Sequence, residues 1–108
     1  MAIPKFDVVI PPKCKRSLDR ITSSRDLQEA LDLVEALEED PFPPYSRQLA
    51  EAHNLWCFDF GSGKHRAVYQ VSTKQRRVII KAIGPRSDVY QRHGLYRKSA
   101  GLKQRRKV

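Results

Sequence analysis

The sequence has 108 residues, 21 Lys/Arg against 12 Asp/Glu for a formal net charge of +9, and only two cysteines. That length suits one compact domain and leaves little room for a second, while two thiols without metal-ligand spacing exclude a disulfide scaffold and fit a reducing, cytosolic setting. The opening "MAIPKFDVVIPPK" is interrupted by Pro4, Pro11 and Pro12, so neither a signal peptide nor a membrane span is expected and the chain reads as soluble and cytoplasmic.

In "KFDVVIPP" Phe6, Val8 and Ile10 alternate onto one side, which predicts a first strand stopped by prolines. Cys14, Leu18 and Ile21 then follow helical spacing. After the break "TSS" a second helix places Leu27, Ala30, Leu31, Val34 and Leu37 on one stripe, with Ser23 and Asp26 at capping-box spacing. Its other face carries Asp26, Glu29, Asp32, Glu35 and Glu39, the pattern of a solvated surface. "DPFPPY" ends it, because proline cannot continue the backbone ladder. "YSRQLAEAHN" fits either a helical turn or an irregular lead-in.

Three strand-like segments come next. "LWCFDF" sets Trp56, Phe58 and Phe60 on one face, "HRAVYQV" separates Arg66, Val68 and Gln70 from His65, Ala67, Tyr69 and Val71, and "RRVIIKAI" is rich in β-branched residues. Their short connections predict an antiparallel meander covered on one face by the two helices. A short helix is expected from about Ser87 to His93, then a basic tail. The expected architecture is therefore α+β, a small antiparallel sheet of an N-terminal strand plus a three-stranded meander, packed against two N-terminal helices. Residues 1–97 would form the domain and 98–108 the tail, whose competing states are disorder and anion contact.

The charge is divided unevenly. Residues 1–60 carry 7 Lys/Arg and 11 Asp/Glu, a net of −4, whereas residues 61–108 carry 14 and 1, a net of +13. So one-sided a potential attracts polyanions, which makes nucleic acid the leading partner class and an acidic protein segment the alternative. "FGSGKH" is not a Walker A loop: Phe58 stands where the first glycine is needed and His65 where the hydroxyl is needed. Gly61, Ser62 and Gly63 read instead as a hairpin turn with cations after it.

"LWCFDF", "HRAVYQV" and "KAIGPRSDVY", in this order, resemble the RelE toxins of bacterial and archaeal toxin-antitoxin pairs, within the wider RelE/ParE superfamily. The pattern is a strand with Arg, two apolar residues and Tyr, matched by Arg66 to Tyr69. A strand ending in Gly follows, then a basic residue, an acid, Val and Tyr, matched by Gly84 to Tyr90. The resemblance covers residues 5–93, with its distinctive motifs in 55–92. It implies a ribosome-dependent endoribonuclease that cleaves messenger RNA without a metal or other cofactor. It also implies a cognate antitoxin protein as partner in a hetero-oligomer.

RNA supplies its own nucleophile, so an enzyme need only align the 2′-hydroxyl, remove its proton, stabilise the phosphorane and protonate the leaving 5′-oxygen. Guanidinium groups suit the phosphorane, since losing one stabilising donor typically costs on the order of 10²–10³ in rate. Arg66 and Arg86 are the candidates, and Tyr90 occupies the position where the resemblance implies base stacking or proton transfer. Their structural alternatives are a surface cation for Arg66, an ion pair with Asp88 for Arg86, and core packing with Val89 for Tyr90. The well-known nucleases of the family carry lysines where this chain has Cys57 and Asp59, which leaves Lys64, His65 or His93 to supply the base, with Lys64 and His65 carried as candidates. Arg76, Arg77, Lys81, Arg92, Arg97 and Lys98 are the candidate RNA-binding cations. The alternative functions are a ParE-like inhibitor of DNA gyrase acting by protein contact, and a basic RNA-binding module without cleavage.

Overall fold

The computed structural model describes residues 5–50 and 54–85. β1 (Asp7–Val9) leads into α1 (Pro12–Asp19) and α2 (Ser24–Ala36), followed by β2 (Arg47–Ala50), β3 (Leu55–Phe60), β4 (His65–Ser72) and β5 (Arg77–Pro85). Proline at the first position of α1 costs nothing, because that amide has no intrahelical acceptor. α2 starts at Ser23, whose hydroxyl accepts from the Asp26 amide at 3.2 Å, as the capping spacing predicts.

The sheet runs β1-β5-β4-β3-β2, which puts β4 at its centre. β2 to β5 alternate in direction, whereas β1 lies parallel to β5, with Val8 opposite Val78. Two features refine the sequence reading. The stretch "YSRQLAEAHN" contributes a short fifth strand, and the sheet is mixed. Short hairpins force alternation on consecutive strands, but β1 enters after a helical excursion and is free to run parallel. It is tied in by Phe6 N donating to Glu38 O and Asp7 N donating to Arg76 O, each at 2.9 Å.

Alternation divides the sheet into two faces. On the helix face Phe58, Phe60, Ala67, Tyr69, Val71, Val78, Ile80 and Ile83 close on Cys14, Leu18, Ala30, Val34 and Leu37 as one core. The far face carries a smaller buried group, Leu55, Cys57, Val68 and Ala82, with Leu49 against it. A register shift between Val68 and Tyr69, opposite Lys81, keeps both Ile80 and Ile83 in the main core. The tyrosine of the Arg-apolar-apolar-Tyr pattern, Tyr69, belongs to that core. It is fully buried, its hydroxyl donates to Pro41 O at 2.9 Å, and desolvation pushes its pKa up to about 12. Cys14 is likewise buried, its thiol pushed up by desolvation and its Sγ 3.6 Å from Ile80 O. No helix among the described residues is long and apolar enough to cross a membrane.

Candidate functional site on the far face of the β3–β4 hairpin

Gly61, Ser62 and Gly63 take φ of +64°, +58° and +84°, so three left-handed residues in succession reverse the chain between β3 and β4. The turn sets Phe60 opposite His65 and Asp59 opposite Arg66. Asp59 and Arg66 project on the far face as a two-point ion pair, Nε to Oδ1 at 2.6 Å and Nη2 to Oδ2 at 3.3 Å. Arg47 of β2 approaches the same carboxylate at 3.7 Å. The Arg66 side chain is 11% exposed and that of Asp59 25%, so this pair sits at the margin of the small far-face cluster rather than in open solvent. Opposite Arg66 on β5 is Gly84, where an added Cβ would meet nothing within 4 Å.

The candidate bases His65 and Lys64 occupy the opposite side. His65 stacks on Phe60, centroids 5.1 Å apart, and its Nε2 lies 3.6 Å from Asp26 Oδ2, while Lys64 Nζ lies 3.9 Å from the same oxygen. Asp26 is 7% exposed and Glu29 accepts from the Gly61 amide at 3.0 Å. These two acids were expected on a solvated helix face. Instead the start of α2 grips the hairpin turn, a tertiary contact on which helical periodicity is silent. Beside His65 a cavity of about 160 Å³ is lined by Ser17, Arg20, Ile21, Ile83, Gly84 and Pro85.

Of the expected RNA-binding cations, Arg76 and Arg77 lie at the β1 end of the sheet. Arg76 covers the Phe6 ring at 4.4 Å, and Arg77 Nε is 3.8 Å from Asp7 Oδ2. Six residue steps along β4 separate Arg66 from Ser72, the partner of Arg77, a span of roughly 20 Å at strand rise. Lys81 is half-buried at the β5 irregularity. Arg86, Tyr90, Arg92, Arg97 and Lys98, together with the expected terminal helix and tail, lie outside the described residues. Among the described residues no group of three or more His, Cys, Asp or Glu could hold a metal ion.

Sequence reasoning passed over Asp59 as a partner of Arg66, and Arg47 as a second cation on that carboxylate. The signal for Asp59 was present: in a hairpin closed by residues 61–64, residues equally far from the turn face each other, and 59 meets 66.

Neither a protein-family model nor a curated protein sequence matches the chain. Solved structures do match. A mutant of the E. coli toxin RelE in the free state superposes with a TM-score of 0.66 at 14% identity, over 93% of this chain and 98% of that one. The archaeal RelE-RelB complex from Pyrococcus horikoshii gives 0.63 at 21% identity, over 76% and 96%. A RelBE toxin-antitoxin complex from Mycobacterium tuberculosis gives 0.62 at 19%, over 78% and 100%. The chain has the fold of the RelE toxins.

Proposed function

We propose that the chain is the toxin of a toxin-antitoxin pair, an endoribonuclease that cleaves messenger RNA on the ribosome and is restrained by a cognate antitoxin protein. The observation that carries the reading is the position of Arg66. In a fold shared with RelE toxins, its guanidinium leaves the central strand on the face away from the helices, opposite a glycine whose added Cβ would meet no described atom within 4 Å. A planar fork there matches two oxygens of a scissile phosphate. The two solved RelE-RelB and RelBE complexes of the same fold support an antitoxin partner, and the basic second half supports a polyanionic target.

Arg86 and Tyr90 retain their proposed roles, in phosphate stabilisation and in base stacking or proton transfer. Purified protein added to translating ribosomes is expected to give messenger fragments cut in the ribosomal A site, and Arg66→Ala and Arg86→Ala are each expected to lose about 10²-fold or more in rate. Intact message, or wild-type cutting by both folded variants, contradicts the reading. The Asp59–Arg66 pair favours one competitor, a ParE-like gyrase inhibitor, because a guanidinium already holding a carboxylate can serve a protein contact. Inhibition of supercoiling without messenger cleavage would select it.

A further inference from the structure

We infer that Asp59 is the general base of this cleavage, the group that takes the proton of the attacking 2′-hydroxyl; the inference rests on the nuclease reading above. A base must lie within hydrogen-bond reach of the nucleophile while the phosphate is held by its cation. Asp59 touches Arg66 through both carboxylate oxygens and is one-quarter exposed, so an RNA phosphate on that guanidinium brings its neighbouring ribose up to the same carboxylate.

Among the described residues strand alternation sets the competitors apart; His93 and Tyr90 lie outside them. His65 projects on the helix side of β4, packed on Phe60 and facing Asp26, and Lys64 in the turn faces the same acid. Close to Arg66 on the far face, Cys57 is fully buried and the next polar side chain along β4, Gln70, does not titrate. Arg66 at 2.6 Å and Arg47 at 3.7 Å both lie against the Asp59 carboxylate.

The step balances without any further reactant. The 2′-oxygen forms a bond to phosphorus as its proton passes to Asp59. The bond from phosphorus to the 5′-oxygen breaks with its electron pair on that oxygen, which takes a proton from a water molecule; the hydroxide left behind takes the proton from Asp59, restoring both the carboxylate and the water. The products are a 2′,3′-cyclic phosphate and a 5′-hydroxyl.

The test compares wild type, Asp59→Asn, Asp59→Glu and Asp59→Ala in single-turnover cleavage of ribosome-bound message, with ribosome affinity and thermal unfolding measured in parallel. Asp59→Asn keeps an oxygen for Arg66 but cannot accept the proton, and its rate is expected to fall about 10²–10⁴-fold with affinity nearly unchanged. Asp59→Glu should recover part of the rate. Asp59→Ala should be slow, and added formate should speed it by supplying a free carboxylate. A wild-type or faster rate for Asp59→Asn overturns the inference and makes Asp59 a brake on Arg66, and an Asp59→Ala variant that formate leaves slow overturns it as well. Failure of the wild-type chain to cut message removes the nuclease reading and this inference together, whereas equal cutting by wild type and Asp59→Asn removes the inference alone.

Discussion

At Gly61 an added Cβ would stand 2.8 Å from His65 Cδ2 and 3.0 Å from Asp26 Cγ, on a backbone already at φ +64°. The left-handed conformation alone costs a non-glycine residue about 1–2 kcal/mol, and the contact adds to it. Gly61→Ala should therefore lower the unfolding temperature by about 5–10 °C in a domain of this size. Gly84→Ala should unfold within a degree or two of the parent, since nothing lies within 4 Å of its added methyl and φ needs no glycine. Equal losses at the two positions would contradict this account of the turn. Tyr69 makes a different test. Tyr69→Phe strands the Pro41 carbonyl and should cost about 1–3 kcal/mol. Its raised pKa also has a definite sign: the folded chain holds the phenolic proton more tightly than the unfolded one, whose phenol titrates near 10. That contribution is whole below pH ~10 and is lost as pH rises through about 12. Alkaline unfolding of the wild type should steepen in that window, and the Phe variant should lack the added slope.

The two helices, β3 and β4 were legible because their apolar residues repeat at periods of 3.6 or 2, β1 from the alternation of Phe6, Val8 and Ile10 around it, and β5 from its β-branched residues. β2 was not. It has four residues, pairs with β3 through a register shift between Gln48 and Ala50, and its character comes from the neighbour it joins. The acids of α2 show the complementary limit: periodicity identified Asp26 and Glu29 as lying off the main apolar stripe, yet only tertiary folding delivers the β3–β4 turn to them. Two changes measure this grip. Ser23→Ala removes the acceptor of the Asp26 amide and should cost about 1 kcal/mol. Glu29→Ala should speed hydrogen exchange at the Gly61 amide while leaving the central β4 amides protected; unchanged exchange at Gly61 would mean that α2 does not hold the turn. Arg66 was nominated for its place in a motif, and the hairpin register fixed its partner, but the closeness of that ion pair is a property of side chains that a pattern of letters does not contain.

Across the whole molecule the first 60 residues carry −4 and the remaining 48 carry +13, an imbalance that is a matter of counting and needs no coordinates. On the proposed function, affinity for ribosomes or RNA should fall with salt, with a log-log slope of about −0.7 for each single-strand phosphate neutralised; a flat response would count against a polyanionic target. The distribution within that half was not legible, because Arg76 and Arg77 are carried to the opposite end of the sheet from Arg66 by the length of β4. Cleavage is thus expected to depend on the far-face site near the β3–β4 turn rather than on total charge. The decisive measurement is to map messenger 5′ ends on translating ribosomes exposed to the wild-type chain and to Arg66→Ala. New ends bearing 5′-hydroxyls within the A site for the wild type, reduced about 10²-fold or more by the substitution, are the predicted result. A message left whole by the wild type, or cut equally by a folded Arg66→Ala, would contradict it.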